Sequence, residues 1–155
     1  MLVYNVPMKI ALGADHAGFE LKEKIKGYLQ RKGLTVNDRG TTSADAVDYP
    51  DYARLVGNDV IHHRADFGIL VCGSGIGMSI AANKIPGIRA VNAHDETEAH
   101  LAREHNNANV LALAGRFLDE SVANRIIDKW LSTPFAGGRH AQRVDKIVAI
   151  ERGKC

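Results

Sequence analysis

Short runs of β-forming residues alternate with longer stretches of helical period along this chain, and that alternation restricts its fold more than any other feature. Strands separated by helices cannot pair as hairpins. They lie parallel in one sheet, with the helices crossing over to cover its faces. Five runs read as strands: 9–13, 34–37, Phe67–Cys72, 88–92 and 109–113. Over 19–32, Leu21, Ile25, Tyr28 and Leu29 recur at helical spacing, and Gly33 supplies a C-terminal stop. Pro50 suits the first turn of a second helix running towards His63, and a third opens near Ile76. Asp95 followed by Glu98 has the form of a capping box for a helix ending about His105. Asp119 caps another that carries Val122, Ile126, Ile127 and Trp130, and a last helix is expected over 140–152. The expected fold class is therefore α/β, a single doubly wound, Rossmann/flavodoxin-like domain. Its five-stranded parallel sheet is expected in the order 2-1-3-4-5 with right-handed crossovers.

Composition narrows the function classes. With 155 residues, 45% hydrophobic and 25% charged, the chain suits one compact domain over 8–155 behind a short leader, 1–7. Its 20 basic residues against 18 acidic ones leave a net charge of +2, too small for a nucleic-acid footprint. The leader has no basic n-region, and no run of 18 apolar residues occurs, so a cytoplasmic protein without a membrane partner is expected. The two cysteines, Cys72 and Cys155, supply neither a disulfide framework nor a CxxC metal or redox motif.

In the expected sheet the loops leaving strands one and three lie side by side at the carboxyl edge, where such folds bind ligands. Those loops are Asp15-His16-Ala17-Gly18 and Cys72-Gly73-Ser74-Gly75-Ile76-Gly77. Gly73, Gly75 and Gly77 let the backbone approach a ligand, and the N-terminus of the following helix would stabilise an anion or a developing oxyanion. The same glycines could merely serve a tight strand-to-helix turn. A dinucleotide fingerprint fails because Met78 holds the third glycine position, and no GK[ST] follows for a phosphate loop. A lone Cys72 is usually an inert core thiol, but at a strand end beside a helix N-terminus its thiolate would be favoured. Asp15 could simply cap the next helix, and His105 could simply complement a helix dipole. Arg139 and Arg143, four apart beside His140, share a helical face and have the forked geometry that grips a phosphate monoester. His62, His63 and His100 read as solvated helix-face residues.

Taken together the segments Gly13-Ala14-Asp15-His16-Ala17-Gly18-Phe19, Asp48-Tyr49-Pro50, Cys72-Gly73-Ser74-Gly75-Ile76-Gly77, Ala81-Ala82-Asn83-Lys84, Arg103-Glu104-His105-Asn106 and Gly138-Arg139-His140-Ala141-Gln142-Arg143 resemble one family. It is that of the type B ribose-5-phosphate isomerases and their galactose-6-phosphate isomerase relatives. The resemblance implies a metal-free, cofactor-free aldose–ketose isomerase of the pentose phosphate pathway. In it a cysteine placed like Cys72 moves a proton between C2 and C1 through an enediolate. It further implies that the amides of 73–77 hold the enediolate oxygens, Ser74 bonds the sugar, and His105 with Asp15 opens the furanose ring. His16, Arg139 and Arg143 would bind the phosphate, with Tyr49, Asn106 and Arg116 lining the pocket. One branch of the family carries a glutamate base just after the glycine loop. Met78 stands there in this chain, which puts the burden on Cys72.

Proton abstraction beside a carbonyl needs a base, oxyanion donors and an anchor for the phosphate, and all three types of group are present. The alternatives are a galactose-6-phosphate isomerase subunit and a non-catalytic nucleotide- or phosphate-binding module. A module that only binds has no need of a thiol at the switch point. His105 and Asn106, however, precede the fifth strand and so belong at the amino edge, roughly 15 Å from Cys72. That spacing predicts a homodimer with shared active sites, in which one subunit's Cys72 meets its partner's His105 and Asn106. A tetramer of such dimers is compatible with the same reading.

Overall fold

The computed structural model describes residues 6–154, so most of the 1–7 leader and Cys155 lie outside the described residues. The strands are β1 (Lys9–Ala14), β2 (Thr35–Asp38), β3 (Phe67–Cys72), β4 (Ala90–Asn92) and β5 (Val110–Ala114). The helices are α1 (Phe19–Arg31), α2 (Tyr49–Ile61), α3 (Ile76–Ala82), α4 (Glu96–Asn106), α5 (Glu120–Ser132) and α6 (Arg139–Glu151). All strand pairs are parallel, which bears out the fold class.

The observed order is β2-β1-β3-β5-β4, not the expected 2-1-3-4-5. Burial explains the exchange. Every residue of β5 is buried, as a strand covered on both sides requires, whereas all three residues of β4 are only half-buried. The short strand therefore takes the edge, and β5 pairs with β3 from Gly68↔Val110 to Cys72↔Ala114. The switch point between β1 and β3 is unaffected.

Two apolar layers sandwich the sheet. On one face Ile10, Leu12, Ile69, Val71, Leu111 and Leu113 pack on α1, α4 and α5 through Ile25, Leu29, Ala99, Ile126 and Trp130. On the other, Ala11, Leu70, Val110 and Ala112 pack on α2 and α3 through Val56, Val60, Met78 and Ala82. The strict alternation of faces along each strand puts Cys72 on the α2/α3 side. Helix α4 opens as expected, with Asp95 Oδ1 accepting from the Glu98 amide at 2.8 Å. The return arm differs from a standard capping box, because Glu98 Oε2 accepts from the His94 amide, one residue further out. Asp119 likewise accepts from the Val122 amide. Among the described residues no helix is long and apolar enough to cross a membrane.

Candidate active site

Three turns meet at the carboxyl end of β1 and β3. The Asp15 amide donates to the Val71 carbonyl at 3.2 Å, and the Gly115 amide donates to the Cys72 carbonyl at 2.7 Å. A Cβ on Gly115 would lie 3.3 Å from Ala17 O, Cys72 O and Gly18 Cα alike, so the three chains touch through a residue without a side chain. Gly18 is tighter still: a Cβ there would collide with the Val71 carbonyl. These close approaches bring the Asp15 carboxylate to the end of β3.

Cys72 is buried, and its Sγ lies 3.1 Å from the Gly75 amide, which donates to it. Gly75 adopts φ +75°, a left-handed conformation that glycine takes without strain and that turns its N–H towards the sulfur. The glycines on either side admit neighbours directly. The Arg116 guanidinium fills the space a Cβ on Gly73 would need, 3.1 Å from it, and the Tyr49 ring does the same at Gly77, 2.7 Å away. Asn92 braces the loop from β4, donating through Nδ2 to the Ser74 carbonyl at 3.1 Å. Buried Asp15 accepts from the Gly18 amide through Oδ1, while exposed His16 packs its Nδ1 3.2 Å from both the amide nitrogen and the carbonyl oxygen of Val47. Asp15, His16, Tyr49, Cys72, Gly73, Ser74, Gly75, Gly77 and Arg116 thus form one cluster.

His105, Asn106, Arg139 and Arg143 form a second cluster at the opposite end of the sheet. Helix α4 ends at Asn106, shortly before Val110, while Cys72 lies level with Ala114. Four strand rises, at least about 13 Å, separate the two levels. The Ala136 amide donates to the Glu104 carbonyl, which ties the start of α6 to the end of α4. His140 then stacks on His105 with ring centroids 4.2 Å apart and planes 7° from parallel. Burial, and then the neighbouring His105, Arg139 and Arg143, hold His140 below the ordinary imidazole range.

Sequence reasoning missed Asn92 and the stacking role of His140. An asparagine at the carboxyl end of a strand was the available signal for Asn92. The His140 stack had none, because it joins two helices far apart in the sequence.

A thiol, a glycine loop, a carboxylate and an arginine meet at the switch point of a doubly wound α/β sheet, the edge at which such folds take their ligands. The family model described as Ribose/Galactose Isomerase matches residues 10–147. The ribose-5-phosphate isomerase B of Escherichia coli K12 is 49% identical over 144 residues, 93% of this chain and 97% of its own. A putative sugar phosphate isomerase of Bacillus subtilis is 44% identical over 145 residues, 93% and 97% of the two chains. The ribose-5-phosphate isomerase B structure from Clostridium thermocellum superposes with a TM-score of 0.94 at 47% identity, covering 96% of this chain and all of that one. A Mycoplasma genitalium ribose-5-phosphate isomerase B with bound ribulose 5-phosphate gives 0.89 at 44% identity, covering 94% and 97%. The chain belongs to the ribose/galactose isomerase family, and is an isomerase by that membership.

Proposed function

We propose that this protein interconverts ribose 5-phosphate and ribulose 5-phosphate, with Cys72 as the base. The observation that carries the reading is a buried sulfur held 3.1 Å from a glycine amide within a loop of amides at the switch point. In the open-chain aldose the Cys72 thiolate takes the C2 proton, and the electron pair moves through C1 to the carbonyl oxygen. The resulting enediolate lies among the amides of 73–77, which stabilise the negative charge as it develops. The thiol returns its proton to C1 while the proton of O2 passes to O1, which yields the ketose. Ser74 bonds a sugar hydroxyl, His16, Arg139 and Arg143 hold the phosphate, and Tyr49, Asn106 and Arg116 line the pocket. Asp15 and His105 open the furanose ring beforehand.

Because the two clusters lie at opposite sheet edges, one subunit cannot complete this site. A two-fold homodimer joins Cys72 of one subunit to His105 and Asn106 of its partner. Ile76 and Ile80, one turn apart on α3 and 57% and 58% exposed, supply apolar surface beside the thiol for such a contact. The relatives' names favour an enzyme of the pentose phosphate pathway, and we place it in the cytoplasm.

The deciding assay compares ribose 5-phosphate with six-carbon sugar phosphates in wild type and Cys72→Ala. Wild type should prefer the five-carbon substrate, and the variant should bind it but turn over roughly 10²-fold more slowly or worse. Near-normal turnover would remove Cys72 from the mechanism, and a preference for six carbons would move the protein to the galactose branch. Co-refolding Cys72→Ala with His105→Ala should restore about a quarter of wild-type activity through mixed dimers. A mixture that stays inactive despite subunit exchange would refute the shared site.

A further inference from the structure

Helix α4 delivers His105 and Asn106 in its last turn, and a helix end of this kind leaves backbone carbonyls without partners. Asn107 closes the helix in a left-handed conformation, φ +47°, so the chain reverses sharply just after the two residues. Two guanidinium groups take up the exposed oxygens. Arg89 donates through Nε to Asn106 O at 3.0 Å and Asn107 O at 3.2 Å, and through Nη2 to Asn107 O at 3.0 Å. Arg103 donates through Nη1 to Ala108 O and to the Asn107 side chain. Arg89 is itself anchored. Its amide donates to Asn109 Oδ1 at 2.8 Å, and its carbonyl accepts from the Asn109 amide at 3.0 Å. It therefore links the entrances of β4 and β5 to the turn after α4.

We propose that Arg89 is a positioning residue for ring opening, fixing through its guanidinium fork the turn that aims His105 and Asn106. The inference rests on the reading of His105 as the ring-opening group. Arginine is required because its planar fork meets two carbonyls at once, which a lysine ammonium on a flexible stem cannot do in the same geometry. Release of the turn would let the end of α4 fray and carry His105 off its line to the sugar. A displacement of 1 Å at a reacting group can cost about 10²-fold in rate.

The chemistry of the two substrates separates this role from general support of the fold. Ribose 5-phosphate enters as a furanose. Ribulose 5-phosphate has its O5 phosphorylated and cannot close a ring onto C2, so exchange of its C1 proton with solvent needs the base but no ring opening. Arg89→Lys, with Arg89→Gln as a second variant should the first fold poorly, is measured in both assays beside its melting temperature. Turnover of ribose 5-phosphate should fall by about 10- to 100-fold. Deuterium exchange at C1 of ribulose 5-phosphate, read at saturating ketose so that any weakened Asn106 contact enters KM rather than the rate, should fall by no more than a small fraction of that. Equal losses in the two assays, or none in either, would overturn the inference. His105→Ala, run in parallel, locates the fault. A selective loss there with none in the Arg89 variants refutes the positioning role alone, whereas equal losses in His105→Ala refute its ring-opening role as well.

Discussion

Replacing Gly18 by alanine adds one methyl group at the point where α1 meets the end of β3. The backbone of Gly18, at φ −95°, suits any L-residue, so the substitution carries no conformational strain and tests contact alone. The added Cβ would overlap the Val71 carbonyl oxygen and lie 2.5 Å from its carbon and 3.0 Å from the Cys72 nitrogen. All three atoms are main chain, so no rotamer change relieves the clash. Either α1 or the end of β3 must move by several tenths of an ångström. Overpacking of this kind costs about 1–3 kcal/mol, and main-chain obstruction places this case near the upper figure. For a chain of this length that lowers Tm by roughly 6–12 °C. Gly27→Ala in the middle of α1 is the matched control. There the new Cβ meets only the flexible tip of Arg31, 3.1 Å away, and the gain in helix propensity is about 1 kcal/mol. Calorimetry of the two variants should therefore show shifts of opposite sign. Isomerase activity measured well below both melting temperatures should fall only in Gly18→Ala, because Cys72 and Asp15 move with the displaced backbone. A Gly18→Ala protein with unchanged Tm and turnover would refute the claim that this contact sets the site.

Lys22 is fully buried, with Nζ 2.8 Å from both Asp38 Oδ1 and Glu23 Oε1. Asp38→Ala, which leaves buried Lys22 with Glu23 alone, should then cost about 1–3 kcal/mol in urea unfolding, whereas Lys22→Met should cost less, since removing a buried charge also removes its desolvation. A Lys22→Met loss as large as that of Asp38→Ala would count against this asymmetry. Burial pushes the Asp59 carboxyl up, but hydrogen bonds from Arg39 and Arg64 outweigh it and hold the group below its ordinary 3.8. Asp38 follows the same pattern with Lys22, Lys26 and the Gly40 amide. Below about pH 4 the unfolded chain then binds more protons than the folded one. The carboxyl contribution should be lost as pH falls through that value, with a shallower acid decline in Asp59→Asn, while the depressed His140 adds a separate decline that begins in the ordinary imidazole range. An equally steep acid decline in Asp59→Asn would assign the effect to other groups.

The parts of this structure that follow from local chemistry were readable in the sequence. Helix α1 repeats its apolar residues at the period that covers a sheet, Gly33 ends it at φ +82°, and Asp95 and Asp119 cap the helices they precede. The parallel sheet follows from the alternation itself. The exchange of β4 and β5 does not, because both connections are helical crossovers and neither restricts which strand takes the edge. The deciding signal was composition. Val110-Leu-Ala-Leu-Ala114 has no polar residue, whereas the short fourth strand ends in Asn92, and only the former can stand with a neighbour on each side and helices on both faces.

The candidate site divides along the same line. Cys72, the glycines and Asp15 could be placed together because each stands at or just past the end of its strand, and the switch-point rule acts on strand ends. Arg116 could be placed near them only through the resemblance, and its position over Gly73 depends on a missing side chain at a residue 43 positions earlier. His105 is the opposite case, since its distance from Cys72 was predictable from strand direction alone and the register bears it out. What no local rule could supply is the support beneath it: the Arg89 fork and the His140 stack join segments whose proximity exists only once β4 has taken the edge and α6 has folded back on α4. Residues that touch substrate leave patterns at strand and helix ends. Residues that hold those in line are fixed by tertiary packing, and they become visible only when the partners' carbonyls and rings are in place.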